Sequence, residues 1–173
     1  LKLLTFDPDE EVRNILIESV NTPASVLLFM AERGTPQERF LLAKKEGEPA
    51  HLAHCRIATH GEPEARKALA SNPKTSETAL EVLLKTNDLA IRLALAGNPA
   101  SKKVWIEEFL TKGSYEENLA AAGNRSISRK WIGHLVGHRD PKFRMTAADN
   151  KGIAGAKKLA LLRDSDPGVR ERA

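Results

Sequence analysis

The segment NPKTSETALEVLLKTNDLAIRLALAGNPAS, residues 72–101, begins and ends on the same Asn-Pro pair. The two pairs, at Asn72 and Asn98, are 26 residues apart. Similarity at a fixed period of roughly 20–50 residues is the sequence signature of repeat proteins, in which each unit packs against its neighbours in the chain. The segment therefore predicts a repeat architecture if the same spacing continues elsewhere.

The 26-residue spacing does continue. Asparagine returns at this interval at Asn72, Asn98, Asn124 and Asn150. Arginine recurs in steps of 26, 27, 26, 52 and 26 residues, with Asn118 in the vacant position, at Arg13, Arg39, Arg66, Arg92, Arg144 and Arg170. Acidic or hydroxyl-bearing residues stand four residues before these positions, at Thr35, Glu62, Asp88, Ser114, Asp140 and Asp166. Three markers with one spacing indicate six to seven consecutive units.

Each unit contains two short amphipathic helical patterns. Prolines stand three residues before four of the arginines, where a first helical turn tolerates them, at Pro36, Pro63, Pro141 and Pro167. Apolar or small residues follow at i, i+3 and i+4 and predict a buried stripe: Val12, Ile15 and Leu16; Ala65, Ala68 and Leu69; Ile91, Ala94 and Leu95. The second pattern has the same spacing at Leu80, Leu83 and Leu84; Ile106, Phe109 and Leu110; Ile132, Leu135 and Val136.

The Asn-Pro pair separates the two helices of a unit. Because asparagine tolerates the left-handed backbone conformation, we expect Asn72 and Asn98 to end the first helix in that conformation. Pro73 and Pro99 then prevent the helix from continuing, because the residue before a proline is pushed towards extended backbone.

Helices of this length must stack, because isolated helices below about 12–15 residues are marginal in water. The sequence predicts an all-α fold, a right-handed α-solenoid (superhelix) of about six to seven 26-residue two-helix repeats. We expect a single repeat array over residues 1–173. The array opens and closes within a unit, and Leu1–Phe6 shows neither an initiator Met nor a signal peptide, so we expect it to be part of a longer array.

Composition indicates which partners are compatible with the chain. The net charge of +4 is uneven: residues 1–86 hold 11 Lys/Arg against 13 Asp/Glu, whereas residues 87–173 hold 16 against 10. An electrostatic partner should therefore favour the second half.

Cys55 is the only cysteine, which excludes an intrachain disulfide and fits a reducing compartment. No apolar run approaches the roughly 20 residues that span a bilayer, so we expect no membrane association and a cytoplasmic location.

Three segments share one pattern: GEPEARKALASNPKT (61–75), NDLAIRLALAGNPAS (87–101) and SDPGVRERA (165–173). The pattern resembles the leucine-rich repeat variant family, bacterial solenoids whose units read roughly D-x-x-x-V-R, a helix of small residues, N-P-x-T-P and a leucine-containing helix. The resemblance covers essentially the whole chain. HEAT-like repeats are a close competitor, because they also carry an Asp and an Arg near the start of a helix.

The resemblance implies a helical superhelix, often with one helix of each pair short or of the 3₁₀ type, and it implies no single activity. Three features depart from the family pattern. The units are mostly 26 residues long instead of about 24, and the segment GSYEENLAAAGNRSI (113–127) lacks the arginine. The cysteine-rich iron–sulfur region known beside one such array is also absent from this sequence.

The arginine series has two interpretations. Guanidinium groups spaced one per unit can follow a row of phosphates. Alternatively, the arginines pair with acidic residues within or between units as a structural ladder formed by Arg13, Arg39, Arg66, Asp88, Arg92, Asp140, Arg144, Asp166 and Arg170. We favour the ladder because the unit that loses its arginine, at Asn118, also loses its acid, at Ser114. The unit of Arg39 weakens this argument, because it keeps the arginine although Thr35 stands in the place of the acid.

Two tryptophans, Trp105 and Trp131, are 26 residues apart and so occupy equivalent places. Together with nearby cations they form a candidate partner-binding surface of Trp105, Arg125, Arg129, Lys130, Trp131 and His134. The alternative is that both indoles fill the interior beside the leucine stripe.

The sequence gives little indication of a metal site or a catalytic site. His134 and His138 are spaced i, i+4, and His51 and His54 stand near Cys55, but no carboxylate completes either group at a metal-site spacing. The sequence contains no phosphate loop, nucleophile elbow or Ser/His/Asp grouping. We therefore expect no cofactor, no metal and no enzymatic activity, although HEAT-like DNA glycosylases keep an enzyme interpretation open.

The sequence thus favours a non-catalytic protein-interaction scaffold that binds a partner protein or peptide near residues 100–140. The alternative is a nucleic-acid-binding or DNA-repair solenoid, similar to alkylation glycosylases, that uses the basic C-terminal half.

Overall fold

The computed structural model describes residues 1–150, 153 and 155–173, and all the regular secondary structure in them is helical. The all-α class is therefore confirmed. Short 3₁₀ segments at Lys2–Phe6 and Glu48–Ala50 accompany thirteen α-helices in the described residues. These are α1 (Glu10–Glu18), α2 (Ala24–Arg33), α3 (Pro36–Lys44), α4 (His51–His60), α5 (Pro63–Ser71), α6 (Glu77–Leu84), α7 (Leu89–Gly97), α8 (Lys103–Lys112), α9 (Tyr115–Ala122), α10 (Arg129–Val136), α11 (Pro141–Ala148), α12 (Ala156–Leu162) and α13 (Pro167–Arg172).

Helices begin where the local signals predict. Pro36, Pro63, Pro141 and Pro167 are each the first residue of a helix, preceded by a residue with extended backbone. The first helix of each unit is a true α-helix, of nine residues in α3, α5 and α7. None of the described helices is both long enough and apolar enough to cross a lipid bilayer.

The described chain forms two compact units, residues 1–100 and residues 101–173. They are called the first unit and the second unit below, whereas the consecutive units of the repeat are the 26-residue segments. In the first unit, α1, α3, α5 and α7 each contact the next member of that series, and α2, α4 and α6 do the same. In the second unit, α9, α11 and α13 form one such series, α10 contacts α12, and α8 packs on α9. Alternate helices therefore stack within each unit, while a single array over residues 1–173 stays a prediction.

The buried face of the first helices is broader than predicted and is rotated around the helix axis. Ile15 is 61% exposed, and Ala68 and Ala94 are only half-buried. Burial follows i, i+4 and i+5 instead, as in Ala65, Leu69 and Ala70, and in Ile91, Leu95 and Ala96. The reason is that a helix such as α3 contacts both neighbours of its own series and also α2 and α4, so its buried arc extends beyond one narrow stripe.

The asparagine of the Asn-Pro pair does not adopt the left-handed conformation that we expected. Asn72 (φ −75°, ψ 118°) and Asn98 (φ −74°, ψ 123°) have extended backbone. No described residue other than glycine has a positive φ. The following proline explains the difference, because its ring forces the residue before it into extended geometry.

The buried asparagine side chains instead connect consecutive units of the repeat. Nδ2 of Asn98 donates to the carbonyl oxygens of Ala70, at 2.7 Å, and Asn72, at 3.0 Å. Its Oδ1 accepts a hydrogen bond from the N–H of Ala100, at 2.8 Å. One amide therefore shapes its own turn and also satisfies carbonyls at the end of the preceding unit's first helix.

The same bonds recur one unit earlier. Nδ2 of Asn72 donates to the carbonyl oxygens of Ala43, at 2.9 Å, and Lys45, at 3.3 Å. Lys45 occupies the equivalent position in the unit before, and its Nζ donates to the carbonyl oxygen of Ser19, at 2.9 Å. Burial lowers the pKa of the Lys45 ammonium. We call these contacts the asparagine ladder, formed by Lys45, Asn72 and Asn98.

Glycine ends three of the second helices, α2, α4 and α8, at places where the chain packs tightly. A Cβ on Gly34, Gly61 or Gly113 would lie 2.4–2.6 Å from the carbonyl oxygen four residues earlier. Gly97, at the end of α7, has no atom within 4 Å of such a Cβ.

These two surroundings predict opposite effects of alanine. Gly61→Ala should lower the free energy of unfolding by about 1–3 kcal/mol, because the helix end must shift to admit the methyl group. Gly97→Ala should raise it by about 0.5 kcal/mol, through helix propensity and a less flexible unfolded chain. Urea unfolding of the two variants measures both values, and equal effects would contradict the steric explanation.

Candidate functional site

The recurring arginines lie near the starts of their helices and bind the preceding turn. Four of them donate from Nη1 to a backbone carbonyl oxygen five or six residues earlier. These bonds join Arg13 to Asp7 (2.5 Å), Arg39 to Gly34 (2.6 Å), Arg144 to His138 (2.8 Å) and Arg170 to Asp164 (2.7 Å). The repeated contact holds the turn between two consecutive units.

Three of these arginines also pair with a carboxylate 20–25 residues later in the chain. Nε lies 2.6 Å from the carboxylate in Arg13–Glu38, 2.8 Å in Arg39–Glu62 and 2.7 Å in Arg144–Asp164. The hydrogen bond from Arg39 lowers the pKa of Glu62, and that from Arg144 lowers the pKa of Asp164. These pairs therefore form between consecutive units.

Glu38 supplies the carboxylate in the unit where Thr35 replaces the acid. The Thr35 N–H donates to Oε2 of Glu38, at 2.9 Å, while the Glu38 N–H donates to Oγ1 of Thr35, at 3.2 Å. The remaining oxygen of Glu38 accepts from Arg13. In this repeat the acid therefore lies inside the helix, at Glu38, and Thr35 at the N-cap forms a reciprocal capping box with it. Ser114 and Glu117 repeat the box at α9.

Three acids that we assigned to the arginine ladder cap helices. Each accepts a hydrogen bond from a first-turn amide: Asp88 from Ala90 (2.8 Å), Asp140 from Lys142 (2.8 Å) and Asp166 from Val169 (3.2 Å). The other oxygen of Asp140 accepts from the Tyr115 hydroxyl, at 2.7 Å, which lowers the pKa of Asp140. Their recurrence reflects the preference for Asp at the N-cap.

Except for Arg170, which is exposed, the recurring arginines are partly or largely enclosed by protein contacts. The side chains of Arg13, Arg39 and Arg144 are 16%, 17% and 13% exposed. Arg66 and Arg92 are half-buried, and Nε of Arg66 is buried without a hydrogen-bond partner. Groups held in this way are poorly placed to follow phosphates, which favours the structural interpretation of the series.

The two tryptophans differ in exposure. Trp105, on α8, is buried with 8% of its surface exposed, and little of its indole is available to a partner. Trp131, on α10, is half-buried and packs against the hydrophobic core of the second unit. Its ring centroid lies 5.6 Å from that of His134, whose side chain is exposed. Trp131 and His134 therefore belong to one surface, and Trp105 belongs to the interior.

A groove of about 560 Å³ lies in the second unit, at the start of α10 and the end of α11. We call it the basic groove, and the lining side chains that matter here are Arg125, Ile127, Arg129, Ile132, Thr146 and Asp149. Arg125 and Arg129 are exposed, as is Lys130 beside them. Ile127 and Ile132 are 8% and 5% exposed and provide an apolar floor. Of the predicted partner-binding residues, the structure brings Arg125 and Arg129 together.

A second groove, of about 470 Å³, lies between α3 and α5 in the first unit. Phe40 and Ala68 line it, and the Lys44 ammonium lies 4.1 Å from the centroid of the Phe40 ring. Two lysines and two glutamates also line this groove, so their charges balance. Its lining does not select a ligand of one charge.

The histidines are engaged in other contacts. Nδ1 of His138 accepts a hydrogen bond from the Asp140 N–H, at 3.1 Å, and its ring packs 4.3 Å from that of Phe143. His54 is fully buried, and its Nε2 lies 3.1 Å from the carbonyl oxygen of Leu42. Among the described side chains, no group of three or more His, Cys, Asp or Glu is arranged to hold a metal ion.

The groove, its charges and the arginine contacts define the chemistry that this chain can offer. No family model, curated protein or solved structure matches it. The resemblance to leucine-rich repeat variant proteins therefore stays a prediction.

The sequence identified the cations of the basic groove but missed part of its lining. Thr146 and Asp149 come from the end of α11 and the turn after it. The repeat could have indicated Asp149. Gly123 lies in the same turn as Arg125, and Asp149 occupies the position equivalent to Gly123 in the next repeat, 26 residues later.

Proposed function

We propose that the chain is a non-catalytic protein-interaction scaffold that binds a partner peptide in the basic groove. The observation that carries the proposal is the groove itself, where two exposed arginines flank a floor of two buried isoleucines. A few charged anchors around an apolar centre are typical of interfaces that hold a short segment of another protein.

The proposal includes the architecture that supports this groove. The asparagine ladder and the stacking of alternate helices support a right-handed α-solenoid of 26-residue repeats, of the leucine-rich repeat variant or HEAT-like kind. A cytoplasmic location fits a chain whose single cysteine, Cys55, is a free thiol.

Selection from a library of random short peptides tests the proposal. Peptides that enrich on the native chain should bind at least about tenfold more weakly to the double variant Arg125→Ser/Arg129→Ser, because the groove loses both cations. Lys74→Ser/Lys85→Ser is the matched control, since it removes the same charge from exposed positions in the first unit. Fluorescence anisotropy measures the affinities. Failure to enrich any peptide, or equal loss in both double variants, would contradict the proposal.

Nucleic-acid binding is the second candidate, and the charge of the second unit is the observation that favours it. Residues 101–173 hold 15 Lys/Arg against 9 Asp/Glu, a balance of +6. Binding of random-sequence duplex over a salt series distinguishes the two candidates. A steep loss of affinity with salt that disappears in Arg125→Ser/Arg129→Ser/Lys130→Ser supports nucleic acid. The scaffold proposal predicts no duplex binding even at low salt.

A further inference from the structure

We infer that the basic groove takes an acidic peptide segment, which places one carboxylate on Arg125 and another on Arg129. The inference rests on the proposed function and specifies the chemistry of the partner. Guanidinium groups bind carboxylates through two parallel hydrogen bonds, and this pairing is stronger and more directional than a contact with a lysine.

The charges of the groove are available to a ligand. Within the described part of the chain, neither Arg125 nor Arg129 is engaged in an ion pair or side-chain hydrogen bond. Asp149 is the acidic residue of the lining, and Nη1 of Arg172 donates to its Oδ2 at 2.7 Å. The charge of the Asp149 carboxylate is therefore balanced by Arg172, and the two arginines leave the groove positive.

The positive surface extends beyond the groove along α10. Arg129 and Lys130 occupy the first turn of α10, where the helix dipole favours acidic residues over basic ones. Lys157 of α12 approaches Gly133 of α10, with its Nζ 3.1 Å from the place of a Cβ there. Gly133 lies one turn after Arg129, so Lys157 adds a cation to the same helix face. An acidic segment offsets the repulsion among these cations.

The size and floor of the groove favour a peptide over a nucleic acid. A volume of about 560 Å³ falls within the range of sites that enclose a small ligand, roughly 300–1,000 Å³, and it suits a few side chains of an extended chain. Single-stranded nucleic acids are held by stacking their bases on aromatic side chains. The described lining has none and offers Ile127 and Ile132 to apolar side chains between the carboxylates.

The test uses the peptide most enriched in the library selection, labelled with fluorescein, and a copy in which Asn and Gln replace its Asp and Glu. We expect the acidic peptide to bind at least about tenfold more tightly than the amide copy at roughly 0.15 M salt. The advantage should vanish in Arg125→Ser/Arg129→Ser and persist in Lys74→Ser/Lys85→Ser. Circular dichroism of each variant confirms that its helices are intact.

The outcomes separate this inference from the proposed function. If the amide copy binds as tightly as the acidic peptide and still depends on Arg125 and Arg129, the inference is overturned and the proposed function stands. If a short oligothymidylate competes for the groove and binds more tightly than either peptide, both give way to the nucleic-acid candidate. If no peptide enriches at all, both fail.

Discussion

Replacing Asn98 with alanine is expected to lower the free energy of unfolding by about 3 kcal/mol, because its buried amide makes three hydrogen bonds that a methyl group cannot replace. Asn98 is 2% exposed. The substitution leaves the carbonyl oxygens of Ala70 and Asn72 and the N–H of Ala100 without this partner in a site closed to water. Urea unfolding followed by circular dichroism measures the loss.

Two further variants show whether the hydrogen bonds are responsible. Asn98→Asp keeps the shape but replaces the Nδ2 donor with an acceptor facing two carbonyl oxygens, so it should be more damaging than alanine. Asn87→Ala removes an exposed asparagine and should change the free energy of unfolding by less than about 0.5 kcal/mol. A loss below about 1 kcal/mol for Asn98→Ala would refute the role assigned to the asparagine ladder.

The stability of the chain is expected to fall by about 2 kcal/mol between pH 7 and pH 5 because His54 is buried and neutral. Burial lowers the pKa of His54 from 6.5 to about 4. In the unfolded chain the same imidazole takes up a proton as the pH falls below 6.5, whereas in the folded chain it resists protonation down to about pH 4. The unfolded state then binds more protons, so the free energy of unfolding decreases through this window and loses about 3 kcal/mol in all.

His54→Gln isolates this contribution. The Gln Nε2 can still donate to the carbonyl oxygen of Leu42 but does not titrate, so stability should become nearly flat between pH 7 and pH 5. His60→Gln, at an exposed position, should keep the slope of the native chain. Glu62 and Asp164 affect stability at lower pH than His54 does. Their carboxylate pKa values lie below the ordinary range, so the stability that they contribute is lost only as the pH falls through those lowered values. Equal slopes in the native chain and His54→Gln would contradict the assignment.

Local rules predicted the helix starts correctly because the responsible contacts lie within a few residues. Pro63 and Pro141 begin helices as predicted, and Asp88 and Asp140, which we had assigned to the arginine ladder, stand immediately before helices and cap them. Both signals act through the unpaired amides of a first helical turn. The 26-residue period likewise predicted helices that stack in alternation, as observed within each compact unit.

Pairing of arginines with acids between repeats was among the predictions, but the particular partners were not predicted, because they are far apart in sequence. The conformation expected for Asn98 came from a rule about isolated helix ends, whereas its side chain serves carbonyls 26 and 28 residues earlier. The pairing of Arg13 with Glu38 was not predicted, because the repeat pattern places the acid four residues before the arginine position and Glu38 lies outside that place. The exposure of Ile15 shows the same limit, since a single-helix pattern does not state how many neighbours a helix has.

The candidate site was predicted in part. Arg125 and Arg129 stood out as cations in the more basic half, but sequence alone did not show that they flank a groove. The interior position of Trp105 was one of two alternatives left open, and only packing distinguishes it from Trp131. Asp149 and its pairing with Arg172 depend on how α11 and α13 pack, which spacing does not reveal.

The most direct test of the central claim, that the basic groove is where a partner binds, is an NMR titration of the isotope-labelled chain with the selected acidic peptide. We expect the Ile127 and Ile132 methyl resonances and the Thr146 amide resonance to shift as peptide is added, while the methyl resonances of Ile57 and Ile91 in the first unit do not shift. Shifts confined to residues 1–100, for example around Phe40 in the groove between α3 and α5, would contradict it.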